Sequence, residues 1–323
     1  MLRTRLTDVL GVEHPVMLAG MGGVSYHRLV AAVSEAGGYG CFGASTLPAD
    51  ELRAEMRAAR ALTDKPFGVD LLTALPQRLL EDVALLIDEG ATVFAAGLGI
   101  PHDVISMCHE RNVLVLSMCG KVRHAIAAVE AGCDIVVAQG TEAGGHTGQI
   151  ATLPLVTQIV EAVGDRVPVV AAGGISDGRG LAAALALGAD GGWVGTRFIA
   201  TPEANTGVGF KDALLRSRED DTVISKGFSG KPMRVVRNEM SNHFERHPEE
   251  LKPFPDQLLA AVEGGWLHLG ANEQTPGVDP ARECFPAGQA VGGIDALEPA
   301  GEIVVRMVEE AEAALRGEAA TIV

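Results

Sequence analysis

The stretch Asp134-Ile-Val-Val-Ala-Gln-Gly-Thr-Glu-Ala-Gly-Gly-His-Thr-Gly148 decides how the rest of the chain is read. Ile135 to Ala138 is an apolar run, rich in β-branched residues, of the length expected for a strand covered on both faces. It then breaks into a loop carrying Gln139, Glu142 and His146 among glycines. A buried strand running into a polar, glycine-rich loop is how α/β enzymes present reactive groups at the carboxyl ends of their strands. Glycine lets the backbone approach a flat ligand, and imidazole exchanges a proton near neutral pH. Taken alone, the more ordinary reading is a solvated loop with a structural histidine. The rest of the chain has to decide.

Working outward, apolar runs of the same kind recur at 15–19, 39–43, 67–72, 93–96, 113–117, 167–172 and 192–195, which with 135–138 makes eight. Ala-, Leu-, Glu- and Arg-rich segments of helical periodicity lie between them, as at 50–62, 78–88, 122–131 and 180–187. Eight strand–helix units with right-handed crossovers close into a (β/α)8 TIM barrel, over residues 1–201. A doubly wound open sheet is the alternative if two strands are miscounted. Residues 202–298 break the beat with prolines at 202, 232, 248, 253, 255, 276, 280 and 286. They read as an insertion after strand eight that forms a lid over the barrel mouth. From Pro299 helical periodicity returns, with Ile303, Val304, Met307, Val308, Ala311 and Leu315 on one stripe, so 299–323 is expected to return to the barrel.

Composition narrows the function. The 323 residues are 47% hydrophobic but only 4% aromatic, so the core must rest on Ala, Val, Leu and Ile. A net charge of −16 argues against nucleic acid, which demands clustered Lys and Arg, and against anionic membranes. No apolar run approaches the ~20 residues of a membrane span, and the amino terminus has no signal-peptide core. The 5 cysteines (41, 108, 119, 133 and 284) show no metal-like or paired spacing and read as core residues of a reducing cytoplasm.

In such a barrel the residues ending each strand carry the chemistry. They are Gly20-Met21-Gly22-Gly23 after the first run, Asp70 after the third, and Gln139 to His146 after the sixth. Gly173-Gly174-Ile175 follows the seventh and Gly195-Thr196-Arg197 the eighth. Glycines after strands seven and eight can expose backbone N–H groups to a phosphate, Thr196 can add a hydroxyl, and a following helix amino terminus favours the anion.

These motifs together resemble the nitronate monooxygenase family, formerly the 2-nitropropane dioxygenases. The likeness rests on Gly20-Met-Gly-Gly23, Asp64-Lys-Pro-Phe-Gly-Val69, Gly140-Thr-Glu-Ala-Gly-Gly-His-Thr-Gly148, Ala171-Ala-Gly-Gly-Ile175, Gly195-Thr-Arg-Phe198 and Ala287-Gly-Gln-Ala-Val291. The same motifs occur in the flavin-dependent enoyl-ACP reductase II enzymes of that superfamily. The resemblance implies a flavoprotein oxidoreductase binding FMN. Its phosphate would sit on Gly173, Gly174, Gly195 and Thr196, and its ring would lie against Gly20, Met21 and Gly22. Asp70 and Gln139 would bond the polar edge, Gly144 and Gly145 would line the same space, and Gln289 would approach from the carboxyl-terminal segment. His146 matches the catalytic histidine. The implied activity is oxidation of nitronates by O2, with no metal, giving a carbonyl compound and nitrite. An NAD(P)H-dependent enoyl reductase is the alternative, and a flavin-binding protein without turnover is a third reading. Relatives usually carry an amide where this chain has Asp70, so either the flavin potential is lowered or Asp70 is protonated. The turn 18–24 matches neither subfamily's usual form, which leaves the substrate open, and the oligomeric state is equally open.

Weaker signals read as structural. His243 and His247 stand four apart without an evident third metal ligand, Gly97-Leu-Gly99 is a turn, and Trp193 is barrel core. Trp266 and His268 either line a pocket or anchor the lid. Lys231, Arg234 and Arg237 form a basic cluster able to steer an anionic substrate.

Overall fold

The computed structural model describes residues 2–45, 47–72, 79–97 and 101–317. Residues 98 and 99 of the glycine turn, Arg78 at the head of a helical segment, and 318–323 lie outside them. Eight parallel strands form one sheet: β1 (Val16–Leu18), β2 (Gly40–Gly43), β3 (Phe67–Asp70), β4 (Val93–Gly97), β5 (Leu114–Cys119), β6 (Ile135–Gln139), β8 (Val169–Ala172) and β9 (Gly191–Val194). Between β6 and β8 lies a two-residue strand, β7 (Gly145–His146), which belongs to a second sheet. In the large sheet each strand pairs with its successor, and β9 pairs with β1. The circle closes between β1 and β2 through bridges Met17–Tyr39 and Gly22–Gly43, with the Leu18 N–H donating to Tyr39 C=O at 2.9 Å. This is the expected TIM barrel.

Two apolar layers explain why these runs become strands. Inside, Met17, Ala19, Tyr39, Cys41, Val93, Ala95, Leu116, Ile135, Val137, Val170, Ala172 and Trp193 fill the barrel. Their alternate neighbours, such as Val16, Leu18, Phe42, Phe67, Val69, Phe94, Val115, Val136 and Val169, face the surrounding helices. Both faces are covered, so the strands read as continuous apolar runs rather than alternating ones. The helix Arg5–Leu10 supplies Leu6 and Leu10 to the interior from below. It is tied there by Arg5 to the Asp190 carboxylate at 2.9 Å and by the Thr4 hydroxyl donating to Asp190 C=O at 2.6 Å.

After β9 the chain leaves the barrel. The insertion builds an antiparallel hairpin, β10 (Thr222–Ser225) and β11 (Met233–Val236), and β11 pairs with β7 in the register Met233–His146 and Arg234–Gly145. The insertion also grips the first barrel turn, where Asn205 Nδ2 donates to Gly23 C=O at 2.6 Å. The insertion therefore contacts both β7 and the turn that follows β1. The helix Ala300–Leu315 returns and packs between the helices Gly178–Ala186 and His27–Glu35. It buries Ile303, Val304, Met307, Val308 and Ala311, but Leu315, placed on the same stripe by sequence, is 46% exposed at the helix's last residue. All five cysteines are buried and free.

Candidate active site

Register fixes what faces the barrel mouth. Asp70 pairs with Gly43 and with Ala95, and Gln139 pairs with Ala172. Ala95 and Ala172 belong to the interior layer, so Asp70 and Gln139 face inward at its upper edge among very small residues. Gly20 ends β1 directly against Asp70: a Cβ there would stand 2.3 Å from Asp70 Cβ and 2.8 Å from its Oδ2. That glycine is thus required by the packing of the protein itself. Met21 donates its N–H to Ser25 Oγ at 2.8 Å, and its sulfur lies beside Gly195, while Gly22 bridges to Gly43. The ends of β1, β2, β3 and β9 meet in one floor.

Asp70 is 8% exposed, and its carboxyl has no hydrogen-bond partner among the described residues. Burial pushes its pKa up from 3.8 to about 8. Gln139, by contrast, is engaged, its Nε2 donating to His146 C=O at 2.8 Å.

His146 is held from both sides of the mouth. Its backbone is a strand residue of the second sheet, and its Nε2 lies 2.9 Å from Ser229 Oγ, in the loop joining β10 to β11. Ser229 is fully buried, donates to Lys231 C=O at 3.4 Å and accepts from the Lys231 N–H at 3.3 Å. We assign the tautomer from this network: Ser229 accepts Nε2–H, leaving Nδ1 unprotonated. Protein surrounds the ring although its edge stays open to solvent. Burial first, and the Lys231 ammonium second, hold its pKa below 6.5, so the neutral form prevails at pH 7.

The loop's other polar groups act structurally. Glu142 accepts the Thr152 N–H at 2.7 Å and the Thr152 hydroxyl, capping the helix Thr152–Val163. Gly144 packs against the backbone of Ala287 and Gly288, whereas Gly145 faces open space. Gln289 is tied by its N–H to Glu142 C=O at 2.9 Å, and its exposed side chain is unengaged among the described residues. The Gly288 N–H donates to Thr196 Oγ1 at 2.9 Å, which joins this segment to the end of β9.

After β8, Gly173 and Gly174 take φ values of +104° and +79°, a turn that side chains rarely adopt. Their N–H groups, and that of Thr196, find no acceptor among the described residues, as in the backbone nests that hold anions. Of the helices expected to help, Gly178–Ala186 is already capped by Asp177 on the Gly180 N–H and by Glu310 on the Gly178 N–H, each at 2.8 Å, and Thr196–Ile199 is a single turn that begins at the Thr196 N–H.

Other sequence expectations resolve similarly. Arg234 is buried, donating to Thr141 C=O and Thr222 Oγ1, and Arg237 pairs with Glu245 at 2.7 Å. Only Lys231 of the basic cluster stays with His146, its Nζ 4.0 Å above the Phe254 ring. His268 bonds Glu283 at 2.6 Å and Trp266 Nε1 donates to Gly227 C=O, so both tie parts of the insertion together. Trp193 is interior core. His243 and His247 meet Glu250 and Glu249 of the following turn, carboxylates that helical spacing alone did not suggest; all four are side chains at the protein surface.

Comparison with known proteins agrees with this geometry. The family model described as nitronate monooxygenase matches residues 3–84 and 73–310. A "(3aS,4S,5R,7aS)-5-hydroxy-7a-methyl-1-oxo-octahydro-1H-indene-4-carboxyl-CoA dehydrogenase" of Mycobacterium tuberculosis is 41% identical over 76% of this chain and 69% of its own. FabK of Thermotoga maritima superposes with a TM-score of 0.86 at 34% identity, covering 98% of this chain and 99% of its own. Nitroalkane oxidase of Streptomyces ansochromogenes gives 0.80 at 32% identity, covering 96% and 99%. No described helix is long and apolar enough to cross a membrane. The chain is an oxidoreductase that belongs to the nitronate monooxygenase family.

Proposed function

We propose that the protein is an FMN-dependent nitronate monooxygenase that converts alkyl nitronates, with O2, into a carbonyl compound and nitrite. The observation that carries this reading is His146, a neutral imidazole with a fixed tautomer beside the Lys231 cation at the barrel mouth.

Two features fit a flavin. The paired left-handed glycines 173 and 174, with Thr196, present unsatisfied amides suited to its phosphate. The floor brings Gly20, Met21 and Gly22 beside Asp70, whose carboxyl is unpartnered among the described residues. Gly195 would continue the phosphate cradle, Gly144 and Gly145 would line the same space, and Gln139 and Gln289 would approach the polar edge. When bound, the flavin supplies the electron transfer to and from substrate and O2. The chain's own residues do the remainder. His146 Nδ1 takes the proton from the carbon of a neutral nitroalkane, or orients a nitronate already anionic. Ser229 keeps Nε2 protonated as it does so. Lys231 favours the anion electrostatically. The hairpin β10–β11, paired with β7, keeps base and lid in one unit.

A second reading is favoured by one observation, the 41% identity to a carboxyl-CoA dehydrogenase. In an NAD(P)H-dependent thioester oxidoreductase the same imidazole would act at the carbon next to the thioester carbonyl. Aerobic turnover separates the two: the FMN-loaded protein should release nitrite from propionate 3-nitronate in step with O2 consumption. Absence of nitrite, with thioester-dependent oxidation of NAD(P)H, replaces the first reading with the second.

A further inference from the structure

Asp70 is the buried titratable group that this mechanism leaves without a task. Its carboxyl is inward-facing at the upper edge of the interior layer, nine-tenths buried, and unpartnered among the described residues. The elements packed against it are β2, β4 and the turn 20–23. Of these only β2 brings a titratable side chain, Cys41, whose thiol is itself pushed up by burial and by Asp70. Among the described residues no Lys, Arg or His compensates a negative charge there. An unpaired carboxylate in such a place is strongly disfavoured, so the group is neutral in the ordinary physiological range. A neutral carboxyl differs from a carboxylate in kind: it gains one O–H donor. Gly20 presses on one side of Asp70, and among the described residues no protein acceptor receives that donor on the other. A carboxylic acid kept neutral by apolar surroundings is a known way to present a hydrogen bond to a ligand.

We propose that Asp70 is a protonated carboxylic acid that donates its O–H to an acceptor on the polar edge of bound flavin, so that cofactor affinity falls when this proton is removed. The proposal rests on the flavin reading above and assigns Asp70 a state and a direction of donation. It also explains how this chain can place an acid where an amide would supply the same donor without a titratable proton.

Two measurements test it on the full chain. In flavin-free protein, infrared titration of the native chain against Asp70→Asn isolates the carbonyl stretch of the Asp70 acid. The band is expected at pH 6.5 and should disappear with a midpoint of about 8. A carboxylate signal at pH 6.5 overturns the proposal. FMN affinity is then measured by fluorescence quenching from pH 6.5 to 9.5. The native Kd should be level at first, then rise about tenfold per pH unit above the midpoint. Asp70→Asn should hold the low-pH affinity throughout, and Asp70→Ala should bind more weakly at every pH. Native and Asn curves that run parallel refute the donation. If neither protein binds FMN, the flavin reading fails and the donor role falls with it, while the infrared band still reports the proton separately.

Discussion

Replacing Asp70 with asparagine should reshape the pH dependence of stability before any cofactor is bound. The acid is held at about 8 in the fold against an ordinary 3.8. Between those values the folded chain keeps a proton that the unfolded chain has released. Stability from this group is therefore fully present below about pH 4 and is lost steadily as pH rises to about 8. Each pKa unit corresponds to about 1.4 kcal/mol, so the loss accumulated by pH 7 is roughly 4 kcal/mol. Water entry and local relaxation reduce it, which makes that figure an upper bound. Asparagine keeps the shape and carries no titratable proton. Urea denaturation of flavin-free native and Asp70→Asn proteins from pH 4.5 to 8 should show the native chain losing ground to the variant as pH rises. Two stability curves that stay parallel across this range would refute the buried, unpaired carboxyl.

Three further outcomes follow from the mouth of the barrel. His146→Asn should retain flavin but lose at least about 100-fold in turnover on neutral nitroalkanes, the size of a general-base contribution, with preformed nitronates less affected; steady-state kinetics on both substrates checks this. Ser229→Ala removes the partner of Nε2 and should mix the imidazole tautomers, visible in 15N spectra of His146, with kcat falling more than KM rises. Lys231→Met should weaken nitronate binding and move the pH midpoint of kcat/KM for neutral nitroalkane upward, because its ammonium lowers the His146 pKa. Activity on that substrate is lost as pH falls through that midpoint, since protonated imidazole cannot accept a proton.

The barrel was legible because its strands are covered on both faces, which forces unbroken runs such as Ile135 to Ala138 and Val169 to Ala172. The His146 loop was legible because glycine, glutamine and histidine crowd a strand end. The hairpin β10–β11 was not. Its strands are four residues each, and the third strand of their sheet is the dipeptide Gly145–His146, too short to carry a period. Ser229 escaped notice for the same reason: a serine between two glycine-containing turns looks like loop punctuation until pairing brings it across 83 residues to His146. The capping of the helix Gly178–Ala186 was hidden by another distant contact, since Glu310 takes the Gly178 N–H from 132 residues away. Asp70 was visible as a departure in sequence, but its neutrality follows only from the missing partner in the folded mouth.

The central claim is that a nitronate delivers electrons to a flavin held in this mouth. Anaerobic mixing of the FMN-loaded protein with propionate 3-nitronate, and separately with NADH and NADPH, reads it directly from flavin absorbance. The account predicts rapid bleaching by the nitronate, slowed in His146→Asn for neutral nitroalkane, and no comparable bleaching by either nicotinamide. Fast bleaching by NADH or NADPH with an inert nitronate would contradict it.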